Sequence, residues 1–284
     1  LTVSVWGSIK ALREAKERWR LDLPLLRFFL CFPYLNWSTR TTLRVLNELR
    51  LLGQEVRLGL DSGGFVQRVK LPRHRTSPTL IDYEAFLREW VSEFEFITAW
   101  DYAQDWRQTL TAFHWLANKG HPVTPVWHLG EPFDLLRLYA AETPTGWVAI
   151  GGFGQLREAN ARAKPLFIAL KQAIDHVKDE FPDVQFHALG VGFNTTLMSI
   201  WQPDSADSTT PLISLRYGWL IAIKEGDLVR LRLKDVTPDL LPDGINLNDF
   251  HHLPPIRTIV TAYWALRVNA YLNLSSKETS KCHN

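Results

Sequence analysis

Cysteine is scarce in this 284-residue sequence, in which only Cys31 and Cys282 occur. Two cysteines give no disulfide framework, so the small disulfide-stabilised secreted domains are excluded and the cytoplasm is the expected compartment. Cys282 is followed by His283 in a polar tail that lacks the further ligands of a zinc site. We therefore expect no metal centre at these cysteines.

Long apolar runs and a large net charge are also absent. No apolar run reaches the roughly 18 residues that a membrane helix needs, and the charges near the start are not those of a signal peptide. The chain carries 32 basic and 30 acidic residues, a net charge of +2, so composition alone does not predict a polyanionic partner. We expect no membrane association.

The residues that are present are typical of a globular protein with a real core, since 46% are apolar and 22% are charged. Aromatic residues are frequent, with 12 Trp and 15 Phe. Most are expected in the core, and a few can stack on nucleic-acid bases. One basic run contains no acidic residue: Arg68, Lys70, Arg73, His74 and Arg75. It predicts either a phosphate-binding loop or a solvated basic face, and charge alone favours neither.

Short strand-like runs alternate with longer amphipathic segments, a pattern typical of α/β proteins with a parallel sheet. The strand-like runs are 25–34, 56–60, 94–100, 123–128, 147–150, 185–190, 197–201 and 219–223. Eight strands with interposed helices predict a (β/α)8 TIM barrel, for which roughly 250 residues are usual. We expect one domain over 1–284, with its core at about 25–225 and an irregular loop plus a closing helix at 226–284. A doubly wound sheet remains the alternative.

Acidic residues and glycines follow several predicted strands directly, where a parallel barrel carries its catalytic groups. These strand-exit residues are Asp61, Ser62, Phe65, Asp101, His128, Gly151, Gly152, Leu189, Gly190, Asp204 and Asp207. Any one of the acids alone would be a common helix cap or turn residue. Their recurrence at strand ends indicates a functional site.

The residue types suggest what such a site can bind. The carboxylate of Asp101 can accept two hydrogen bonds at once, as the N1–H and exocyclic amine of guanine would donate them. A helix cap or a salt bridge to Arg107 is the alternative. The backbone N–H groups of Gly151 and Gly152 can bind a carbonyl oxygen, although turns use Gly-Gly pairs often.

Asp204 and Asp207 lie three residues apart in a segment rich in Ser and Thr. Both can be turn formers, or one can attack the anomeric carbon of a sugar, as the carboxylate of a retaining glycosyl enzyme does. His128 and His187 are more typical of satisfied core or rim histidines than of catalytic groups.

Taken in order, these segments resemble the motifs of the tRNA-guanine transglycosylase superfamily. The matching segments are Asp-Ser-Gly-Gly-Phe at 61–65, Ala-Trp-Asp at 99–101, Ala-Ile-Gly-Gly at 149–152, Leu-Gly-Val-Gly at 189–192 and the pair Asp204/Asp207. The resemblance extends from residue 25 to about 225. Each motif is moderately specific, and their order adds to their weight.

The resemblance implies a TIM barrel and a role for each matching residue. Asp207 would attack C1′ of the sugar, and Asp61 would act beside the glycosidic bond as acid, base or orienting group. The other positions would bind the purine. Asp101 and Ser62 would contact its polar edge, and Gly152 would contact its O6 side. Phe65 and Leu189 would pack on the faces of the ring, and the remaining purine-binding positions would be His128, Gly151 and Gly190.

Three departures distinguish the chain from the tRNA enzymes. Their C-terminal Cys-x-Cys-x-x-Cys zinc motif is absent, so the resemblance implies no cofactor. Ser-Thr-Thr-Pro at 208–211 stands where they have Leu-Pro-Thr-Arg, and His128 stands where they have Gln. The chain is more similar to the DNA-guanine transglycosylase (DpdA-type) branch, whose members place a 7-deazapurine such as preQ0 in DNA.

We therefore expect an enzyme that exchanges guanine for a 7-deazapurine, preferentially in DNA, through a covalent aspartyl–glycosyl intermediate. Arg68, Lys70, Arg73 and Arg75 are the expected phosphate contacts. The expected partners are DNA or tRNA, the purine or 7-deazapurine base and other proteins of a modification system. Three alternatives stay open: a tRNA-guanine transglycosylase, a catalytically silent nucleic-acid-binding barrel subunit, and an unrelated barrel hydrolase that acts on a glycoside.

Overall fold

The computed structural model describes residues 26–35, 39–64, 78–102, 105–153, 160–191, 200–207, 217–225 and 227–252, together with positions 17, 257, 260, 261, 263 and 264. The described residues fall into two compact units. The larger unit draws on 27–37 and 57–208, and the smaller unit on 1–26, 38–56 and 209–284. The candidate site residues that are described all belong to the larger unit, and a single domain over 1–284 stays a prediction.

Short parallel strands form the centre of the larger unit. They are β1 (Leu26–Cys31), β2 (Val56–Asp61), β3 (Phe96–Ile97), β4 (Val126–His128), β5 (Trp147–Gly151), β6 (Gln185–Ala188) and β7 (Ser205–Ala206). One sheet has the order β1-β2-β3 and the next has the order β4-β5-β6-β7. The pairs β2–β3, β4–β5, β5–β6 and β6–β7 are parallel. The predicted α/β class with a parallel sheet is confirmed.

One backbone bridge connects these two sheets. Thr98, directly after β3, pairs in parallel with Thr124, shortly before β4. Ala99 N–H donates to Thr124 O at 2.7 Å, and Thr124 N–H donates to Ile97 O at 2.7 Å. The strand order therefore runs without interruption from β1 to β7.

Helices connect most of these strands. They are α1 (Phe32–Leu35), α2 (Thr39–Leu51), α3 (Leu80–Trp90), α4 (Trp106–Asn118), α5 (Phe133–Glu142) and α6 (Asn160–Glu180), with a 3-10 turn at Val91–Glu93. A capping box begins α3, because Thr79 Oγ1 accepts from Asp82 N–H while the Asp82 carboxylate accepts from Thr79 N–H. Asp105 caps α4 by accepting from Gln108 N–H at 3.1 Å.

Aromatic rings from four strands meet on the inner face of the larger unit. The ring of Phe96 on β3 lies 5.7 Å from Phe29 on β1, 5.8 Å from Trp147 on β5 and 4.8 Å from His187 on β6. Phe29 and His187 are themselves 5.2 Å apart. β1 and β6 belong to different sheets, so this contact brings side chains of the two sheets together.

The smaller unit contains an antiparallel hairpin. Its strands β8 (Trp219–Lys224) and β9 (Asp227–Arg232) pair along their full length, and Glu225 between them has a φ of 52°. The 3-10 turns Leu233–Asp235 and Pro238–Leu240 and the helix α7 (Leu247–His252) follow. Their core comprises Leu220, Ala222, Val236, Leu240, Ile245, Phe250, Val260 and Trp264.

Two of the predicted strands differ from the structure. The strand that pairs with β6 is Ser205–Ala206 and not the apolar run at 197–201, of which 197–199 lie outside the described residues. The run at 219–223 is a strand, but it pairs antiparallel with β9. Region 227–252, expected to be irregular, is ordered as β9, two 3-10 turns and α7. The alternation of Val229 and Leu231 with the exposed Arg230 and Arg232 is the period-two signal of a half-buried strand.

None of the helices in the described ranges combines the length and the apolarity needed to cross a lipid bilayer.

Candidate active site

Asp61 ends strand β2 in a buried environment. Its Oδ1 accepts from Gly63 N–H at 3.1 Å, and the thiol of Cys31, at the end of β1, donates to the same carboxylate. Burial raises the pKa of Asp61 from 3.8 to about 7, the Gly63 N–H opposes this, and the charges of Asp207 and Asp101 add to the increase. Asp61 can therefore exchange a proton at neutral pH.

The residues after Asp61 bring the loop into contact with Asp101. Ser62 is fully buried and its N–H donates to Thr98 Oγ1 at 2.9 Å. A Cβ atom on Gly64 would lie 2.2 Å from Asp101 Oδ2, a separation that is impossible without displacement. The sequence therefore needs glycine at 64 because the backbone packs directly on the carboxylate.

Asp101 contacts His128, which lies between two carboxylates. His128 Nε2 is 3.2 Å from Asp101 Oδ2, and His128 Nδ1 is 3.4 Å from Glu131 Oε1. The other oxygen of Glu131 accepts from the backbone N–H of His128 at 2.9 Å. Burial alone would lower the pKa of His128, but these two carboxylates raise it from 6.5 to about 10. His128 is therefore an imidazolium cation at neutral pH.

The Gly-Gly pair after β5 lies beside this histidine. A Cβ on Gly151 would come within 2.6 Å of the His128 ring, and a Cβ on Gly152 would lie 3.1 Å from the backbone N of Leu129. Gly152 also has a φ of +93°, which favours glycine. The glycines allow the ends of β4 and β5 to approach each other around the His128 ring.

Asp207 follows strand β7 and is held by the end of β6. Its N–H donates to Ala188 O at 3.1 Å, and its Oδ1 accepts from Gly190 N–H at 2.8 Å. His187 Nε2 lies 3.4 Å from the same Oδ1, and His187 Nδ1 lies 2.6 Å from Ser205 Oγ. The Asp207 side chain remains 18% exposed, so a substrate can reach it.

Asp204 has a different environment from Asp207. Its carboxylate accepts from Phe186 N–H at 2.8 Å and forms an ion pair with Lys178 at 2.9 Å. Successive side chains of a strand point to opposite faces, so two residues three apart do not share one face. Asp204 therefore has a structural role, and Asp207 is the acid that lies with the other site residues.

Three carboxylates from different strands act on one another at these strand ends. The charges of Asp207 and Asp101 both act on Asp61, and those of Asp61 and Asp207 both act on Cys31, whose pKa is raised first of all by burial. The acids follow β2, β3 and β7, which places them at the carboxyl ends of the strands.

Several buried polar atoms near these acids have no hydrogen-bond partner. Among the described residues they are Ser62 Oγ, Trp100 Nε1, His128 Nδ1, Tyr139 Oη and His187 Nε2. A buried polar group without a partner costs roughly 1–3 kcal/mol. Two of these atoms, His128 Nδ1 and His187 Nε2, do face a carboxylate at 3.4 Å, and Tyr139 lies on α5. The unpaired groups next to the acids in the chain are therefore Ser62 Oγ and Trp100 Nε1, and such groups are a feature of binding sites.

The structure brings most of the predicted site residues together at these strand ends: Asp61, Ser62, Asp101, His128, Gly151, Gly152, Leu189, Gly190 and Asp207. Gly190 contacts the Asp207 carboxylate through its N–H, which gives it a place beside the acid. Phe65, Arg68, Lys70, Arg73 and Arg75 lie outside the described residues.

Sequence reasoning missed Cys31, Glu131 and His187 as site residues. Glu131 follows His128 by three residues, and Ser205 precedes Asp207 by two, which is the spacing that puts two side chains on one face of a strand. The spacing of Ser205 and Asp207 was visible in the sequence. That His187 faces this pair follows only from the register between β6 and β7.

In the described ranges, no three His, Cys, Asp or Glu side chains are grouped so that they could hold a metal ion. In comparisons with known proteins, no protein-family model and no curated protein matches this chain.

Proposed function

We propose that the protein is a guanine transglycosylase that exchanges guanine in a nucleic acid, preferentially DNA, for a 7-deazapurine of the preQ0 type. One observation carries this proposal: Asp61, Asp101 and Asp207 follow different parallel strands and yet interact electrostatically. The three acids differ in their partners and their accessibility, as an acid/base group, a base-reading group and a nucleophile must.

The same proposal includes a (β/α)8 barrel. It is supported by the uninterrupted strand order from β1 to β7 and by the contact of Phe29 on β1 with His187 on β6. In such a barrel, the site lies at the carboxyl ends of the strands. The enzyme works without a metal, in the cytoplasm.

In the first half of the reaction, guanine leaves the sugar. A carboxylate oxygen of Asp207 forms a bond to C1′ while the bond from C1′ to N9 breaks, and the electron pair of that bond departs with the base. Protonated Asp61, with its pKa of about 7, donates a proton to the departing guanine. The sugar remains attached to Asp207 as a glycosyl ester.

In the second half, the incoming 7-deazapurine replaces the ester. Ionised Asp61 accepts the proton of the incoming base at the nitrogen that attacks C1′, and the electron pair of the ester bond returns to Asp207. Two successive inversions at C1′ retain the configuration of the sugar. Asp61 begins and ends the cycle in the same protonation state, so no further reagent is needed.

The Asp101 carboxylate reads the polar edge of the purine. Its Oδ2 lies 3.2 Å from Nε2 of the cationic His128, and a carboxylate in that position accepts hydrogen bonds from the purine. Guanine and its 7-deaza analogues present two donors on that edge, whereas adenine presents an acceptor at N1. The Gly152 N–H donates a hydrogen bond to O6 of the purine. Phe65 and Leu189 pack on the two faces of the ring.

The nucleic acid is bound through its phosphates, with the basic run at 68–75 as the proposed contact. A base in a duplex must leave the stack to reach Asp207, at a cost of a few kcal/mol that contacts in the pocket offset. Other proteins of a modification system are proposed partners.

The experiment compares Asp207→Asn with Asp204→Asn, its matched control at the other end of β7. Each variant is incubated with labelled guanine and with duplex DNA or tRNA, and covalent adducts are separated on a denaturing gel. With the wild-type enzyme, we expect labelled guanine to enter DNA. The rate of this exchange should fall by roughly 10³-fold or more in Asp207→Asn, and Asp204→Asn should still exchange guanine.

Three outcomes change the proposal. Label in tRNA alone would move the substrate to tRNA with the chemistry intact. Undiminished exchange by Asp207→Asn would show that Asp207 is not the nucleophile. If neither nucleic acid takes up label, and if adding guanine or preQ0 does not change the thermal stability of the protein, the chain is better explained as a silent nucleic-acid-binding subunit or a glycoside hydrolase.

A further inference from the structure

His187 connects the Asp207 carboxylate to the interior of the larger unit. His187 on β6 and Ser205 on β7 are register partners, and Asp207 lies two residues further along the β7 chain. His187 therefore reaches Ser205 through Nδ1, at 2.6 Å, and faces Asp207 through Nε2, at 3.4 Å from Oδ1. One imidazole spans both residues.

The partners of the two ring nitrogens determine the tautomer. An ionised Asp207 carboxylate can only accept, so the nitrogen that faces it must carry the hydrogen. A neutral His187 with hydrogen on Nε2 has a bare Nδ1, which accepts from the Ser205 hydroxyl. The hydrogen-bond direction thus runs from Ser205 through His187 to Asp207.

The two oxygens of Asp207 are not equivalent in this arrangement. Oδ1 accepts from Gly190 N–H at 2.8 Å and is the oxygen that faces His187 Nε2. An oxygen that accepts one N–H group and faces a second is a poorer nucleophile than the other oxygen, because its lone pairs are directed at these groups. The geometry leaves Oδ2 as the oxygen directed at a substrate.

We infer that His187 and Ser205 are positioning residues that orient the Asp207 carboxylate so that Oδ2 is the atom that attacks C1′. The inference rests on the proposed function. The Nε2–Oδ1 separation of 3.4 Å exceeds an ordinary hydrogen bond, and it shortens when the sugar engages Oδ2. When the ester bond breaks in the second half, Gly190 N–H and His187 Nε2–H stabilise the charge that returns to Asp207.

The competing explanation is that His187 only fills the core. Its ring does pack 5.2 Å from Phe29 and 4.8 Å from Phe96, as a core aromatic residue would. A purely structural role predicts that the rate of adduct formation in every variant follows its free energy of unfolding. It also predicts that Phe, which retains the ring and its packing, replaces His187 without loss of exchange.

Four substitutions separate these explanations. His187→Gln retains an N–H group near the position of Nε2, whereas His187→Asn retains one only near Nδ1, and His187→Phe retains neither. Ser205→Ala removes the donor that sets the tautomer. For each variant we would measure single-turnover adduct formation on DNA, guanine binding by thermal shift, and urea unfolding.

We expect adduct formation to fall about 10²-fold in His187→Phe and His187→Asn, because misplacing a reacting group by about 1 Å costs that much. In His187→Gln and Ser205→Ala, adduct formation should decrease less, by about tenfold. Guanine affinity should stay near that of wild type throughout, since the polar purine contacts proposed for Asp101 and Gly152 follow β3 and β5 and not β6. Equal rates in wild type and His187→Phe, or rates that follow unfolding stability, would overturn the inference.

Asp207→Asn in the same series separates this inference from the proposed function. If Asp207→Asn forms adduct at the wild-type rate, the nucleophile assignment is wrong. If Asp207→Asn is inactive while His187→Phe and Ser205→Ala match wild type, the function stands and only the positioning role is rejected.

Discussion

At the scale of single residues, the candidate site contains carboxylates whose charges are controlled in opposite ways. Burial raises the pKa of Asp61 to about 7, with neighbouring acids adding to the effect. Asp101 instead contacts His128, a cation whose own pKa is raised to about 10. Such separation of environments is how one site holds both a proton-transfer group and a hydrogen-bond acceptor.

Replacing His128 by Gln tests the cation between Asp101 and Glu131. Loss of a buried ion pair costs about 3–5 kcal/mol. The His128 side chain is 19% exposed, so we expect a decrease in the free energy of unfolding of about 2–4 kcal/mol at pH 6. The folded-state pKa lies above the unfolded one, so this contribution is complete below pH 6.5 and is lost as the pH rises through 10.

Urea unfolding at pH 6, 8 and 10 measures the difference between wild type and His128→Gln. The matched control is His114→Gln, whose ion pair with Glu142 is exposed and should contribute less than about 1 kcal/mol. A difference that stays constant from pH 6 to pH 10 would show that His128 is not charged by its neighbours.

At the scale of the elements, glycines let the strand ends approach one another closely. Gly64 contacts the Asp101 carboxylate, and Gly151 contacts the ring of His128, at separations that leave no room for a Cβ. The loops after β2 and β5 are therefore part of the site's architecture, since they hold the polar side chains of β3 and β4 in place.

Gly64→Ala should weaken guanine binding without unfolding the protein. The new Cβ would lie 2.2 Å from Asp101 Oδ2, so the carboxylate must move, while no positive φ penalises alanine there. We expect a loss of affinity of about tenfold or more, as for one buried charge-assisted hydrogen bond. Titration calorimetry with guanine gives the affinity.

The control for this substitution is Gly59→Ala. Its Cβ would meet the ring of Phe29 at 2.3 Å, inside the core and away from the purine contacts. We expect it to reduce the free energy of unfolding and to leave the guanine affinity of the folded protein unchanged. Equal affinities in Gly64→Ala and wild type would show that the loop does not hold Asp101.

The strand ends could be predicted from the sequence because they are local. An apolar run that stops at an Asp or a Gly-Gly pair marks its own boundary, and β2 and β5 do end at Asp61 and Gly151. The run before Asp101 was less accurate, since β3 ends at Ile97. The seventh strand could not be predicted, since Ser205–Ala206 is too short and polar to show a periodic pattern, whereas 197–201 is apolar.

Contacts between strands were beyond prediction for a different reason. The environment of His187 depends on which residue of β7 lies opposite, and that register follows from the packing of the whole sheet. The antiparallel partner of β8 was missed although the sequence carries a signal for it, since the two residues between the strands are Glu225 and Gly226, and a two-residue connection with glycine is typical of a hairpin.

At the scale of the whole molecule, the net charge of +2 is too small to attract DNA by itself. Phosphate binding must then come from a local concentration of basic residues, of which the run at 68–75 is the densest that lacks acids. Affinity that comes from such contacts falls linearly with the logarithm of salt concentration, by a slope of about 0.9 for each phosphate neutralised.

The double variant Arg73→Glu/Arg75→Glu should therefore bind DNA more weakly and with a shallower salt dependence, the slope decreasing by about 2. Its control is Arg230→Glu/Arg232→Glu, which has the same net charge but alters exposed residues that lie against Trp219 in the smaller unit. Fluorescence anisotropy from about 50 to about 300 mM salt, over which the Debye length shortens from about 14 to about 6 Å, measures both slopes. Guanine affinity should be equal in the two variants, because the base is bound by Asp101 and its neighbours and not by the phosphate contacts. If the two double variants lose DNA affinity equally, long-range charge and not the basic run binds the nucleic acid.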